Sequence, residues 1–366
     1  MSENENSLID ELIASYENNN NREEWLAREE RRVELFKQLK PSAHRKLNEA
    51  IEKQIVDDNY SMNEMLNDLL IFTDFNIDSL LKFWIENGEV NLSGYLFRGA
   101  ESQTEELLFK LINDDFSDRT IFALEYLPWC NSSKAFNQFV EWKKRPPKWS
   151  KRLNAPIEDY PEVAGWELDD KYNKRLLYSP LCHALNIAFI QTDESTSDKC
   201  PLCDRPLIRL QLVPYAVAEV IQGFGIETIH MPFCNLCSRF DLGSMSVLKD
   251  GMMKIDTENI YKDTVPDWIK EDDNLSGDLI LKKDAQSRDP YFAAPEWSKY
   301  RYSQLGGFPT WIQHPEHQKC PTCSKRMFFF LQFQEEEVFA DQRDATFHFF
   351  YCTLCKDRFY VNQQFT

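Results

Sequence analysis

The sequence predicts an α+β protein with an all-helical first half and a β-rich second half. Two observations support this prediction. Apolar residues recur at helical spacing through most of the first half. The second half contains two copies of a cysteine-containing unit, and apolar runs of strand length lie between the cysteines of each copy. The predicted domains are 1–155 and 156–366.

Residues 1–155 are predicted to form a helical, HEAT-like domain. Ser61 and Ser102 each precede a glutamate by three residues, which is the spacing of a capping box at the start of a helix. The predicted helices are roughly 10–13 residues long and are joined by short polar segments, as in stacked antiparallel helix pairs. A further short helix is predicted around Leu176–Leu185, before the first cysteine unit.

The second half is organised around an internal repeat of about forty residues. Each copy begins with Cys-Pro-x-Cys, continues with an apolar run, and ends with Cys-x-Leu-Cys. The first copy runs from Cys200 to Cys237 and the second from Cys320 to Cys355, with 30 and 28 residues between the cysteine pairs. This separation leaves room for two or three strands, so the second half is predicted to be built on a duplicated zinc-ribbon-like unit.

The spacing of the cysteines has a direct chemical meaning. Two cysteines separated by two residues place two thiolates on one tight turn, and a second such turn completes a tetrahedral four-sulfur site. The sequence therefore predicts two zinc ions, with iron or a disulfide as the alternatives. Four thiolates leave no position for water, so both sites are predicted to be structural. Pairing within each copy is the main hypothesis, and exchange of cysteine pairs between the copies is the alternative. The predicted ligands are Cys200, Cys203, Cys234, Cys237, Cys320, Cys323, Cys352 and Cys355.

The chain is strongly acidic, with a formal charge of −18. Eight thiolates subtract eight charges and two zinc ions add four, which gives −22 for a chain of −18 when both sites are filled. Such a chain is expected to repel nucleic acid and to attract basic partners; the alternative is that the charge only maintains solubility. Trp142–Arg152 is a basic segment in this acidic chain. It is interpreted as a solvated linker or, alternatively, as a contact with the protein's own acidic surface or with a partner.

The setting is expected to be cytoplasmic. The polar start does not resemble a secretory signal, and no apolar run approaches the ~20 residues of a membrane helix. A reducing compartment favours metal thiolates over disulfides. Cys130 and Cys182 lie outside the repeat and are interpreted as buried free thiols.

No catalytic residues are predicted. His230 and His348 each lie four residues before a closing cysteine, and they are expected to pack beside the metal sites without coordinating, although histidine also binds zinc. The sequence contains no Gly-x-Ser-x-Gly motif, no His-Glu-x-x-His motif and no paired cysteine–histidine nucleophile motif. We therefore expect a binding protein and not an enzyme.

One stretch resembles a known family. Leu305-Gly-Gly-Phe-Pro-Thr-Trp-Ile-Gln313, followed by Cys-Pro-x-Cys, the strand Met327–Gln334 and Cys352-x-x-Cys355, resembles the YwqG-like family of bacterial domains. Some members are immunity proteins encoded beside polymorphic toxins. A helical front joined to such a domain resembles the immunity partner of a Rhs-type toxin that ADP-ribosylates elongation factor Tu. This resemblance implies a monomer that binds and occludes a cognate toxin, and the acidity of the chain suggests that the toxin is basic.

The same stretch supports an alternative function. A glycine–glycine–proline–tryptophan element beside cysteine pairs also resembles the programmed-cell-death-protein-2-like proteins, which act as chaperones for a ribosomal protein. The alternative is therefore a zinc-dependent chaperone or adaptor for a basic client.

Overall fold

The computed structural model describes residues 3–16, 22–55, 61–88, 92–112, 116–193, 198–221, 227–239, 244–249, 252–256, 275–295, 302–339 and 345–365. It contains both α-helices and a large β-sheet, which confirms the mixed α+β architecture. The described residues divide into two compact units, one up to Arg175 and the other from Leu176 onward. The domain boundary predicted after residue 155 falls inside the first unit. Across these ranges, no helix has the length and apolar character that crossing a membrane requires.

The first unit is built mainly from helices. Its α-helices are α1 (Glu3–Ala14), α2 (Arg22–Gln38), α3 (His44–Ile55), α4 (Ser61–Phe72), α5 (Asp78–Asn87), α6 (Ser102–Leu111), α7 (Asp118–Tyr126) and α8 (Ser133–Lys144). Short 3-10 helices occupy Pro41–Ala43, Gly94–Phe97, Leu127–Cys130, Lys148–Arg152 and Ile157–Ala164. Strands β1 (Trp166–Leu168) and β2 (Lys174–Leu176) form a two-stranded sheet.

Helix α5 shows how the sequence builds these helices. Its buried apolar side chains recur at the three- and four-residue spacing that places them on one face. They are Leu80, Leu81, Trp84 and Ile85. The helix ends because Gly88 adopts a left-handed conformation with φ at +85°, and its amide donates to the carbonyl of Ile85.

The capping box predicted at Ser102 is not formed. Helix α6 begins at Ser102 itself, and Glu101 before it makes no side-chain cap. The carboxylate of Glu105 instead accepts a hydrogen bond from the hydroxyl of Ser132, which caps the amino end of α8. Glu105 therefore links α6 to α8 and does not cap the start of α6. The side chain of Ser61, in the other predicted box, lies outside the described part of the structure.

The basic segment Trp142–Arg152 is part of the helical unit and not a free linker. Helix α8 ends at Lys144, before Pro146. The rings of Trp142 and Trp149 are both buried and meet edge to face at 6.0 Å, so they hold the segment against the unit. Its exposed cations are Lys144, Arg145, Lys148, Lys151 and Arg152.

The second unit is a ten-stranded sheet. Its strands are β3 (Cys182–Gln191), β4 (Ile208–Leu212), β5 (Ile229–Phe233), β6 (Ser244–Lys249), β7 (Met252–Ile255), β8 (Gly277–Ser287), β9 (Gln304–Gly306), β10 (Phe328–Gln334), β11 (Ala345–Tyr351) and β12 (Arg358–Phe365). They lie in the order β5-β4-β8-β3-β9-β10-β11-β12-β6-β7. Strands β4 and β8 are parallel, and the other described pairs are antiparallel.

The two copies of the repeat have the same architecture. In each copy a strand follows Cys-Pro-x-Cys, a single turn of helix comes next, and a second strand leads into Cys-x-Leu-Cys. The helical turns are α9 (Pro214–Val217) and α10 (Glu335–Val338). The strands of each copy form an antiparallel pair, β4 with β5 and β10 with β11. Within the described ranges, two strands therefore separate the cysteine pairs of each copy.

The short helix predicted around Leu176–Leu185 is wrong, because the end of this stretch belongs to β3. Residues Cys182 to Ala184 pair with β9, and the strand pairs with β8 from His183 onward. These partners lie about 100 residues later in the chain, a tertiary influence that can override local preference.

Strands β10, β11 and β12 are buried on both faces. Side chains alternate between the faces of a strand, and one face of these strands contributes to the apolar core of the unit. Its members here include Phe330, Phe333, Phe347, Phe349, Phe359 and Val361. Full burial of each such aromatic stabilises the fold by about 1.5–3 kcal/mol.

The opposite face of these strands is also buried and mixes polar with aromatic side chains, and residues 308–313 pack against it. The amide of Thr310 donates to Oε1 of Gln332 at 2.8 Å. The carbonyl of Thr310 accepts from Nε2 of His348 at 2.6 Å. Side chains of two neighbouring strands thus satisfy both backbone groups of one residue, which matters because an unpaired buried backbone group is costly.

Two further glutamines hold the ends of the same segment. Nε2 of Gln304 donates to the carbonyl of Phe308 at 2.8 Å. Oε1 of Gln364 accepts from the amide of Ile312 at 3.0 Å. We call these four side chains, Gln304, Gln332, His348 and Gln364, the polar clamp.

Two consecutive glycines lead into the clamped segment. Gly306 and Gly307 have φ values of +71° and +73°, which favour glycine. A Cβ on Gly306 would lie 2.0 Å from the carbonyl oxygen of Leu181, and one on Gly307 would lie 2.7 Å from Sγ of Cys182. Both positions therefore exclude a side chain.

Gln332→Ala is expected to lower the free energy of unfolding by about 2–3 kcal/mol, because it leaves the buried amide of Thr310 without its acceptor. Denaturant unfolding followed by tryptophan fluorescence measures this. Gln191→Ala removes an exposed glutamine from β3 and is the matched control, with an expected change within about 0.5 kcal/mol. Equal stability of the two variants would contradict the clamp.

Candidate metal centres

Each Cys-Pro-x-Cys pair lies on a turn held by backbone hydrogen bonds. In the first copy the amide of Cys200 donates to the carbonyl of Arg205 at 2.7 Å, and the amide of Asp204 donates to the carbonyl of Cys200 at 2.9 Å. The corresponding bonds of the second copy are 2.8 and 2.7 Å. The residue after the second cysteine, Asp204 or Ser324, is left-handed with φ at 60° or 59°. The duplicated sequence therefore gives the same turn twice.

The closing Cys-x-Leu-Cys pairs also form tight turns. The amide of Cys237 points at Sγ of Cys234 at 3.4 Å, and the amide of Cys355 points at Sγ of Cys352 at 3.3 Å. Such amide–sulfur contacts favour a thiolate over a thiol, because they stabilise the charged form.

The eight predicted ligands form two clusters, one in each copy. In each cluster the four sulfur atoms lie within 4.8 Å of one another. The shorter separations are 3.7 Å for Cys200–Cys237, 3.5 Å for Cys203–Cys234, 3.7 Å for Cys320–Cys355 and 3.6 Å for Cys323–Cys352. Neither cluster mixes the two copies, so the pairing is within each copy.

These distances fit a tetrahedral metal ion. Four sulfurs at about 2.3 Å from a central ion are about 3.8 Å apart, close to the shorter separations. A disulfide needs about 2.05 Å, and all ten cysteines of the chain are free, so the disulfide alternative is wrong. Each cluster can therefore hold one metal ion, so the chain has places for two.

The thiols of each cluster compete for protons. Hydrogen bonds from the other three thiols, Cys203 first, lower the pKa of Cys200, and contact with Cys200 raises the pKa of Cys237. In the second cluster burial raises the pKa of Cys352 to about 11. Without a cation the thiols cannot all ionise together, whereas a bound dication would hold all four as thiolates.

The two clusters differ in their surroundings. The first is packed into a small apolar cluster that includes Leu207 and Leu236, with Ile255 of β7 against it. One cysteine of the first cluster, Cys203, and two of the second, Cys323 and Cys355, are half-buried. The leucine between the closing cysteines is Leu236 in the first copy, where it is 7% exposed, and Leu354 in the second copy, where it is 60% exposed. The second cluster is thus the more open of the two.

The two repeated histidines are placed differently. His348 is fully buried in the polar clamp, whereas His230 is exposed on β5. Neither belongs to a cluster of potential ligands within the described chain. That neither imidazole coordinates a metal ion stays a prediction, and His230 does not fill a buried position.

The sequence analysis missed the other members of the polar clamp. Gln332 and Gln334 interrupt the aromatic run of β10, and Gln363 and Gln364 interrupt β12. Glutamine within a strand that is otherwise apolar could have indicated a buried polar contact. The side chains of Gln332 and Gln364, however, bind backbone groups distant in the chain, and Gln363 donates to the carboxylate of Glu335. A sequence pattern does not reveal such partners.

Comparison with known proteins gives one informative similarity. The chain is 28% identical over 338 residues to a Salmonella typhimurium protein described as uncharacterized protein YpfL, covering 88% of this chain and 77% of that protein. The similarity therefore extends over both units. No protein-family model matches the chain, and no solved structure matches it.

We expect two metal equivalents per chain in protein purified under reducing conditions, measured by inductively coupled plasma mass spectrometry. Cys200→Ser and Cys320→Ser should each lose one equivalent, because each removes one of four ligands that together contribute on the order of 10 kcal/mol. Cys130→Ser, which alters a buried thiol outside the clusters, is the control and should keep two. One equivalent or none in the wild-type chain would contradict the assignment.

The free energy of unfolding should fall as the pH is lowered, because the folded state disfavours protonation of His348. Burial lowers the pKa of His348 to about 4, against an ordinary value of 6.5, and its bond to the Thr310 carbonyl opposes this only in part. The neutral ring is favoured in the fold, so this contribution is complete above pH 6.5 and is lost as the pH falls towards 4. The loss amounts to about 1.4 kcal/mol per pH unit, or about 2 kcal/mol between pH 6.5 and pH 5.

Denaturant unfolding at pH 7 and pH 5 measures this loss, with the metal content checked at both values. His348→Gln keeps a donor for Thr310 but cannot titrate, so it should lose about 2 kcal/mol less than the wild type over this range. His230→Gln removes the exposed imidazole and is the matched control. An identical pH dependence for His348→Gln and the wild type would rule out the contribution of this buried ring.

Proposed function

We propose that this chain is a binding protein in which the two four-cysteine clusters hold structural zinc ions. The observation that carries this proposal is the donor set, since each cluster offers four thiols and, among the residues the structure describes, no other ligand. Four thiolates fill the coordination sphere of zinc and leave no position for the water that catalytic zinc requires. When bound, each ion supplies a cross-link between two turns. The proposal accordingly includes no enzymatic activity.

The proposal also covers the finer features of the fold. Each copy of the repeat is a zinc-ribbon-like unit, supported by two strands that bring one cysteine pair to the other. The first unit is HEAT-like, supported by its succession of α-helices with short connections. The setting is cytoplasmic, because free thiols and thiolate metal sites persist where thiols stay reduced.

For the partner, we infer a cognate antibacterial toxin that the chain binds and occludes, as an immunity protein does. The support is the resemblance of Leu305–Gln313 and the cysteine pairs to the YwqG-like family, whose members include such proteins. The inferred toxin is an ADP-ribosyltransferase acting on elongation factor Tu. Occlusion needs a well-packed face over the toxin's substrate pocket and no catalytic group on this chain.

Charge supports a basic partner. The chain carries −18, and excess charge of one sign speeds encounter with a partner of the opposite sign. Buried aromatic and apolar contacts would then set the rate of release. The chain is taken to be a monomer before it meets the toxin.

Co-expression with the toxin gene encoded beside it should restore growth, because an occluded toxin cannot reach its target. Cys320→Ser should lose this protection, and Cys130→Ser should keep it. With the purified pair, association should slow as salt rises while dissociation changes less. Surface plasmon resonance at several salt concentrations separates the two rates.

Two results would overturn the proposed function. The first is a toxin that remains lethal although the wild-type chain is folded and metal-loaded. The second is protection that works by removing a modification from elongation factor Tu, which would require an active site in this chain. A ribosomal protein that co-purifies in equal amount would instead favour a chaperone.

A further inference from the structure

The repeat duplicates a pair of polar side chains as well as the cysteines. Gln211 of β4 lies opposite His230 of β5, and Gln332 of β10 lies opposite His348 of β11. The second copy has one more residue between Cys-Pro-x-Cys and the glutamine than the first copy has. The β-bulge at Phe330 accommodates this extra residue. The two glutamine–histidine pairs therefore occupy equivalent positions.

The second pair shows what this arrangement can hold. Gln332 accepts from the amide of Thr310, and His348 donates to the carbonyl of the same residue. The indole of Trp311 stacks on the imidazole of His348, with the ring centres 5.0 Å apart and the planes inclined by 27°. The pair thus binds both backbone groups of Thr310, and the imidazole also contacts the aromatic residue that follows.

The first pair lies on an open face of the sheet. His230 is exposed and Gln211 is half-buried, and no hydrogen bond of either side chain is seen among the residues the structure describes. Beside Gln211 on β8 lies Ile280, which is 37% exposed. In the second copy the corresponding neighbour is Gln304, whose amide holds the carbonyl of Phe308. The first copy thus offers an apolar contact where the second offers a hydrogen bond.

We propose that Gln211 and His230 dock an extended segment of a partner protein, in the way Gln332 and His348 hold Thr310. Oε1 of Gln211 accepts from the amide of one partner residue, and the imidazole of His230 donates to its carbonyl. An aromatic residue next in the partner stacks on His230. An apolar residue two positions earlier, corresponding to Phe308, covers Ile280. The inference goes beyond the proposed function, because it holds for any partner that presents such a segment.

The chemistry of the pair favours a polypeptide. An acceptor and a donor aimed at the two backbone groups of one residue match a peptide unit, whose N–H and C=O both need partners. Nucleic acid would bring a dense array of negative charge to a chain of −18.

The probe is a fluorescein-labelled peptide, Gly-Gly-Phe-Pro-Thr-Trp-Ile-Gln, which copies residues 306–313 of this chain. Fluorescence anisotropy with the full-length, metal-loaded protein should show saturable binding below about 1 mM. Gln211→Ala and His230→Ala should each weaken it by about fivefold. Asn186→Ala, which removes an exposed amide on β3, is the matched control and should stay within about twofold of the wild type. Metal content confirms that each variant is folded.

A second peptide tests whether the backbone is recognised. Methylation of the threonine amide nitrogen removes the donor for Gln211 without changing any side chain. The methylated peptide should bind the wild type more weakly than the unmodified peptide does. The Gln211→Ala variant should bind both peptides equally. The proposal is overturned if the unmodified peptide does not bind, if Gln211→Ala and His230→Ala bind it as the wild type does, or if methylation has no effect. Self-association lost in Gln211→Ala would show a second copy as the occupant and would also overturn it. Growth protection against a toxin is measured separately, so the two proposals fail independently.

Discussion

Four sulfur atoms must come within 4.8 Å of one another in each copy of the repeat, and the arrangement of the second unit depends on this constraint. The opening turns supply two sulfurs because Asp204 and Ser324 are left-handed. The two strands that follow must then pair in the correct register, because this brings the closing cysteine pair next to the opening cysteine pair. Those same strands carry the apolar core on one face. Closure of the clusters and formation of the core are therefore achieved by one antiparallel pair in each copy.

The two copies share a backbone fold, but equivalent side chains have different surroundings. The first cluster is covered by the chain's own apolar groups, whereas the second presents Leu354 to solvent. Conversely, the glutamine–histidine pair of the second copy is covered by Thr310, whereas that of the first is open. Equivalent side chains of the two copies thus differ in how far the chain covers them.

The sequence predicted what depends on residue type and local spacing. The mixed architecture and the grouping of eight cysteines into two sets of four followed from periodicity and from the Cys-x-x-Cys spacing. It did not predict strand β3, whose partner strands lie far along the chain. It also did not predict that Glu105 accepts a hydrogen bond from Ser132 instead of capping the start of its own helix. The polar clamp was also missed, because a glutamine within a strand shows neither its burial nor the backbone group that it binds. Apart from the bond between Gln304 and Phe308, the deciding contacts join segments far apart in the sequence.

The central claim is that each cluster is a closed, all-thiolate zinc site, and X-ray absorption at the zinc edge tests it most directly. The account predicts four sulfur neighbours at about 2.3 Å for the average site. It also predicts no nitrogen or oxygen neighbour at the shorter distance of about 2.0–2.1 Å. A nitrogen or oxygen ligand would show an open or mixed site with room for chemistry, and absorption at the iron edge in place of zinc would contradict the metal assignment.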